Sequence, residues 1–162
     1  MGPFFHPHRE MRTSMHTLNR GVCDNGLANS MSCMDVLAFL ADQPADVVYL
    51  DPPYPGTVAY ETEYLPLDEL LSNHEILPEN SRFSAKDGWK FLGDVYDAAE
   101  HIPVWVLSLG NETVEMDQLV EVMRERGRVV EAQEIEYSHL ASQATAEKTA
   151  GNKEFILTAT KE

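Results

Sequence analysis

Asp46-Val47-Val48-Tyr49-Leu50 runs directly into Asp51-Pro52-Pro53-Tyr54, and this junction restricts the fold more tightly than anything else in the chain. After Asp46, Val47 to Leu50 are a β-branched and aromatic apolar run of strand length, which reads as a strand buried on both faces. The next four cannot extend it. Pro52 and Pro53 have no backbone N–H for a sheet ladder, and each fixes its own φ near about −65°. A core strand therefore stops abruptly and presents a carboxylate, a stiff backbone and an aromatic ring at its carboxyl end. Ligands bind at that end of open α/β sheets. The plainer reading is a strand-to-loop stop with a buried tyrosine.

The flanking pattern supplies the rest of an α/β domain. Asp35 heads a short helix through Leu40, with Val36, Leu37 and Leu40 on one face, and Asp is a preferred N-cap residue. Pro55-Gly56-Thr57 is a turn, followed by a segment rich in Tyr and Glu (Tyr60, Glu61, Glu63, Tyr64). Residues 66–71 read as a short helix. Asp87 caps a longer one over residues 88–100, with Trp89, Leu92, Val95, Tyr96 and Ala99 at helical spacing. Pro103 opens a second buried strand over 104–108. The crossover between the two strands contains helices and is long enough to make them parallel neighbours. Ser108 and Asn111 occupy a strand end beside the motif, where turn chemistry is preferred over a role at the site. Thr113 starts the clearest helix, with Met116, Leu119, Val120 and Met123 on one face, Arg124 and Arg126 near its end and Gly127 beyond. Residues 128–137 and 153–159 read as strands. The loop between them has no helical pattern, which suits an antiparallel pair at the sheet edge.

Composition bounds the class. The 162 residues are 43% hydrophobic and 24% charged, enough for one domain with a sizeable core. No apolar run approaches membrane-span length, and the amino terminus lacks the apolar core and cleavage site of a signal peptide. Two cysteines, Cys23 and Cys33, make no disulfide framework, so a cytoplasmic location without membrane attachment is expected. Residues 1–34 read as an irregular amino-terminal segment with a short strand at 28–34. His6 and His8 flank a proline there without further ligands nearby, and no metal site is expected. Twelve basic residues against 27 acidic ones give a net charge of −15, with no basic run. A chain of that charge is expected to hold DNA poorly by itself.

The four-letter string has a known likeness. Average residue usage would produce it in roughly one chain per thousand of this length. Asp51-Pro52-Pro53-Tyr54 after an apolar strand resembles the catalytic motif of amino-group methyltransferases that use S-adenosylmethionine. The stretch SCMDVLAFLADQPADVVYLDPPYPGTVAYE is similar to the Dam-like (D12 class) adenine-N6 DNA methyltransferases. VWVLSLGNET and NKEFILTATK resemble that family's following and closing strands. The resemblance covers residues 28–160, the carboxyl-terminal catalytic half of such an enzyme. It implies a partial Rossmann-like methyltransferase sheet with flanking helices and an antiparallel last strand. It also implies S-adenosylmethionine as cofactor, held by Asp35, Asp51 and Pro52, and DNA as partner with the target adenine flipped out. Asp35 is then read either as a helix cap or as a contact to the adenine end of the cofactor, and one carboxylate can serve both. In that family the loop matching Tyr60 and Tyr64 borders the flipped base, but surface aromatics on a loop also serve to pack it down, and that plainer role is preferred for these two.

The implied chemistry suits the residues. An adenine N6 amine is a poor nucleophile because its lone pair is delocalised into the ring. Two acceptors aimed at its hydrogens, the Asp51 carboxylate and the Pro52 carbonyl, favour a pyramidal nitrogen with a localised lone pair. Such acceptors work only if held rigid beforehand, and Pro53 adds to that rigidity. Tyr54 is suited to stacking on a base that has left the duplex.

The sequence departs from the family in two places. It has no Phe-x-Gly-x-Gly turn for the cofactor and no separate DNA-recognition domain. Two functions from different classes therefore stand: an adenine-N6 methyltransferase in truncated or split form, or a non-catalytic partner-binding module on a degenerate methyltransferase fold. Without the family's neighbouring strand, residues 46–50 are expected to become a sheet edge. Residues 28–34, a complementing half or a second copy of the chain would then cover it, with the first of these preferred.

Overall fold

The computed structural model describes residues 7–22, 24–56, 59–136 and 153–161. His6, Cys23, Thr57, Tyr137 and the loop over 138–152 lie outside the described residues. The chain divides into two compact units, Met1–Cys33 and Met34–Glu162.

The first unit corrects the expectation of an irregular segment. Helix α1 spans Pro7–Gly21. Pro7 sits at its first position, where a missing N–H costs nothing. Met11, Met15 and Leu18 then recur at helical spacing along one exposed stripe. The strand expected at 28–34 does not form. Just upstream, Asp24 Oδ1 accepts from the Gly26 N–H at 2.8 Å and Asn25 Oδ1 from the Leu27 N–H at 3.0 Å. Such Asx turns offer the backbone an alternative to a ladder.

The second unit is α/β. In chain order it comprises α2 (Val36–Ala41), β1 (Val47–Leu50), α3 (Tyr60–Glu63), α4 (Leu65–Ser72), two 3-10 turns (Arg82–Ser84 and Gly88–Phe91), α5 (Leu92–Ala98), β2 (Val104–Gly110), α6 (Met116–Arg124), β3 (Arg128–Glu136) and β4 (Lys153–Lys161). The mixed four-stranded sheet has the order β1-β2-β4-β3. β1 and β2 are parallel, as the long crossover requires, and the last strand is antiparallel to both its neighbours. The antiparallel pair of β3 and β4 lies at one side of the sheet, as expected, with β4 on the inside and β3 at the edge. The β4 run Phe155-Ile156-Leu157 suits burial, whereas β3 carries Glu131, Gln133, Glu134 and Glu136, and these charges protect an edge.

Register assigns the faces. Val48 and Leu50 of β1 sit opposite Trp105 and Leu107 of β2, which pair with Ala159 and Leu157 of β4. All lie on one face, packed with Leu40 of α2, Leu92, Val95 and Tyr96 of α5, and Leu119 and Met123 of α6. The opposite face, carrying Val47, Tyr49 and Val129, is largely open. Val47 is 53% and Tyr49 60% exposed, so β1 is buried on one face only, not both. β1 is also an edge, as expected.

Two helix starts differ from the sequence reading. A Cβ on Gly88 would run into the Phe83 carbonyl oxygen, so this close approach needs glycine, and the chain takes a 3-10 turn before α5 begins at Leu92. Asp87 makes no side-chain cap bond there. α6 is capped by Glu115 in a reciprocal box with Gln118, not by Thr113. The Thr113 hydroxyl is buried without a partner among the described residues. Gly127 closes the helix at φ 69°, the left-handed conformation expected after a helix end.

The core centres on Trp105. Its ring stacks on Tyr96 at 4.8 Å, with the Arg128 guanidinium 3.6 Å from its centroid on the β3 side. Trp105 Nε1 donates to the Ala99 carbonyl at 2.9 Å. Arg128 donates to the carbonyls of Pro103, Glu100 and Ile102, closing off the turn before β2. The Tyr96 hydroxyl has no partner among the described residues. Removing an unsatisfied buried hydroxyl relieves a desolvation cost, so Tyr96→Phe is expected to raise stability by about 1–2 kcal/mol in urea unfolding. Burial also pushes the Tyr96 phenol above the ordinary tyrosine range. The folded chain keeps a proton that the unfolded chain sheds above about pH 10, so stability falls as pH rises past that point. Tyr96→Phe should flatten that fall.

Candidate functional site

β1 delivers Asp51 to the carboxyl edge of the sheet, and the two prolines turn the chain away from the ladder. The loop is then pinned at its far end. Pro55 is fully buried. Gly56 takes φ 72° with a Cβ position only 2.9 Å from Thr113 Cγ2, a place no other residue fits without displacement. The Asp51 carboxylate is exposed and makes no hydrogen bond or ion pair to any described residue.

Asp51, Pro52 and Pro53 share a cleft of about 710 Å³ with Asp35, Val36, Leu37, Tyr49 and Leu50. Its far wall is Asn80, Ser81, Arg82 and Phe83, and Phe91, Leu92 and Val95 lie behind. This volume suits a ligand of cofactor size with a few polar groups on an apolar lining. The structure thus brings Asp35 and the motif, sixteen positions apart in the sequence, to one cavity. Asp35 does cap α2. Its Oδ1 accepts from the Leu37 and Ala38 N–H groups at 3.0 and 3.2 Å. Oδ2 makes no bond among the described residues and remains available as an acceptor. The two readings of Asp35 are therefore compatible.

Tyr54 is placed differently from its neighbours. It does not line the cleft. Its hydroxyl donates to Glu154 Oε2 at 2.9 Å, across one hundred positions of sequence. The Ser108 hydroxyl donates to the other oxygen, Glu154 Oε1. Burial pushes the Tyr54 phenol well above the ordinary range, and the Glu154 bond and charge push it further, with Asp51 and Glu112 adding to the effect. Ser108 was read as turn chemistry and instead joins this network. Asn111 bonds across the sheet: its N–H donates to the Lys153 carbonyl and its Oδ1 accepts from the Lys153 N–H, which prolongs the β2–β4 pairing by one residue.

Glu61 is a further residue that sequence reasoning missed. Its carboxylate accepts from the Ser81 N–H at 2.7 Å and from the Ser84 hydroxyl at 3.0 and 3.1 Å, fixing the far wall of the cleft. Backbone amides, its own first and then that of Ser81, together with Ser84 hold it below the usual carboxylate range. Tyr60 and Tyr64 stack on each other at 6.1 Å and stay exposed at the mouth of α3 and α4. No residue pattern announces a contact between Glu61 and a serine twenty positions away. Among the described residues no His, Cys, Asp and Glu cluster could hold a metal ion. No helix among them is long and apolar enough to cross a membrane.

The chain is similar to a methyltransferase. It is 29% identical over 122 residues to the type II methyltransferase M2.HphI of Haemophilus parahaemolyticus, across 74% of this chain and 36% of that protein. The chain thus spans about a third of the length of that curated relative. No family model matches it. Among solved structures, precorrin-6Y C5,15-methyltransferase from Geobacter metallireducens is 18% identical over 59% of this chain and 58% of that one, with a TM-score of 0.28. A likeness that shallow bears no weight, and the α/β assignment rests on the sheet itself.

Proposed function

We propose that this chain is the catalytic half of an S-adenosylmethionine-dependent methyltransferase that acts on the N6 amine of adenine in DNA. The observation that carries the reading is the single cleft lined by Asp35, Asp51 and Pro52. The cofactor, when bound, supplies an electrophilic methyl group. Asp35 would hold it through the free Oδ2, and Val36, Leu37 and Phe83 offer apolar surface to a purine ring. The Asp51 carboxylate and Pro52 carbonyl would accept from the two amine hydrogens of the target, drawing its lone pair out of conjugation. With no partner of its own among the described residues, Asp51 needs no bond broken before it does so. Tyr60 and Tyr64 provide exposed aromatic faces near the motif for an extruded base.

The isolated chain is expected to bind both ligands weakly. It lacks the Gly-rich turn that lets backbone approach the cofactor closely, and a net charge of −15 repels phosphate. Titration calorimetry should give a dissociation constant for S-adenosylmethionine above the micromolar range. Asp35→Asn keeps a good N-cap but removes the carboxylate. It should leave the melting temperature unchanged while weakening cofactor binding about tenfold, the loss of one charge-assisted hydrogen bond. Submicromolar binding by the chain would overturn the expectation of weak binding, and indifference to Asp35→Asn would argue against the proposed cleft.

A second reading keeps the fold without catalysis. The β1 edge, unpaired among the described residues, and the exposed Val47 and Tyr49 support a module that works by pairing with another polypeptide, whether a complementing half or a second copy. Sedimentation of the purified chain separates these. A monodisperse monomer that transfers methyl groups to duplex DNA refutes the purely structural role.

A further inference from the structure

Glu154 is a buried carboxylate with two hydroxyl donors and no cation within ion-pair distance among the described residues. It stands second in β4, with Ser108 near the end of β2, where Gly110 pairs with Glu154. Neither position invites a carboxylate. The other residues of β4 between 155 and 159 are apolar or Thr, and a solvated Lys or Thr would satisfy the strand end equally well. What the carboxylate does reach is the motif loop. Tyr54 is the last residue of the motif, and its ring spans from the loop to the sheet to place its hydroxyl on Glu154.

We propose that Glu154 is a positioning residue for the candidate site: held between the Tyr54 and Ser108 hydroxyls, it fixes the loop over 51–56 and so the aim of Asp51 and Pro52. The inference rests on the methyltransferase reading for its functional consequence, but the clamp itself is a property of the fold. Among the described residues the loop is anchored at buried Pro55, at Gly56 against Thr113, and through the Tyr54 hydroxyl. The Tyr54 anchor acts on a residue of the motif itself, whereas the other two hold the loop's far end, so its loss lets the stiff motif segment shift as a unit. Electrostatic catalysis by fixed acceptors is sensitive to displacements of this kind. The role of Glu154 is to accept hydrogen bonds, and a Gln side chain meets that need. Its carbonyl accepts from Tyr54, and its amide donates to a Ser108 hydroxyl that rotates to receive it.

The test compares Glu154→Ala, Glu154→Gln and Tyr54→Phe in the full chain. Two readouts are taken, methyl transfer to duplex DNA and the phenol titration of Tyr54 followed by ring-carbon NMR. Glu154→Ala should lower kcat about tenfold to a hundredfold with cofactor affinity changed less than threefold. Glu154→Gln should recover most of that loss. Combining Tyr54→Phe with Glu154→Ala should cost no more than either alone, because both cut the same bond. In the titration, Glu154→Ala should bring the Tyr54 phenol down toward the ordinary range, a shift that general loosening of a strand would not single out. Glu154→Gln as inactive as Glu154→Ala, additive effects of the pair, or an unmoved Tyr54 titration would each overturn the clamp. If the wild-type chain transfers no methyl groups under any condition, the functional reading fails, and the titration alone decides the clamp.

Discussion

Asp51→Ala is expected to lower methyl transfer by about a hundredfold to a thousandfold while leaving S-adenosylmethionine affinity within a few-fold of the parent chain. Loss of one preorganised acceptor at a developing charge has that size. The separation of the two effects follows from the geometry. Asp51 sits at the strand end with its carboxylate unpaired among the described residues, whereas the proposed cofactor would draw on other residues that line the cleft, Asp35, Val36, Leu37 and Phe83. Single-turnover rates at saturating cofactor, with the chain alone or with a complementing half, measure the first quantity, and equilibrium titration measures the second. An Asp51→Ala chain with normal single-turnover rates is incompatible with the proposed chemistry. Asp51→Asn is the informative companion, since it preserves an acceptor of the same shape. It should retain part of the rate, because the amide oxygen still accepts while the charge is lost.

Trp105→Ala is expected to destabilise the fold by about 3–5 kcal/mol, the range for removing a fully buried aromatic. Three interactions disappear together: the stack on Tyr96, the face offered to Arg128 and the Nε1 bond to Ala99. Arg128 would keep its bonds to the three carbonyls of the turn, but its guanidinium would then face a cavity. With domain stabilities of about 5–15 kcal/mol, the variant should lie near the limit of folding at 37 °C. Urea unfolding monitored by far-ultraviolet circular dichroism measures the loss. Trp89, partly buried at the rim of the core, reports less sharply on it. A Trp105→Ala chain within 1 kcal/mol of the parent would mean that this face of the sheet is not the core.

The sequence-based reading and the structure part company in an instructive way. β1, β2 and α6 were legible because apolar periodicity and local punctuation coincide there. Asp51-Pro52-Pro53 ends a strand by backbone chemistry alone, and Gly127 ends α6 by its φ. The parallel pairing of β1 and β2 followed from the length of the crossover. What stayed hidden depended on contacts distant in sequence. β3 and β4 were legible as an antiparallel pair at the sheet edge, but their order was not: the apolar character of β4 against the glutamates of β3 decides that β4 goes inside. α1 was missed because a polar, methionine-bearing helix with one exposed stripe looks irregular on composition. The burial of β1 was overestimated, since an apolar run of four residues cannot reveal whether one face or two will be covered.

The site divides along the same line. Asp35 and the first three residues of the motif were visible as residue types, each with a local role, and they line one cavity. Tyr54 was assigned to the substrate from its chemistry alone. Its hydroxyl is engaged by Glu154, and no local signal points from position 54 to position 154. Glu61 was seen only as part of an acidic loop, although it is the acceptor that holds Ser81 and Ser84 in place. In both cases a carboxylate that looks like surface charge turns out to organise a loop.

The central claim is that the cavity between Asp35 and Asp51 receives S-adenosylmethionine, and amide chemical-shift mapping tests it without requiring tight binding or turnover. The labelled chain is titrated with the cofactor into the millimolar range and each shifting amide is assigned. Shifts concentrated at Asp35 to Leu37, Leu50, Asp51 and Ser81 to Phe83, and reduced by Asp35→Asn, are the result expected of this cleft. Shifts that gather elsewhere, for instance around Pro66 to Glu75, or none at all at millimolar cofactor, would contradict it.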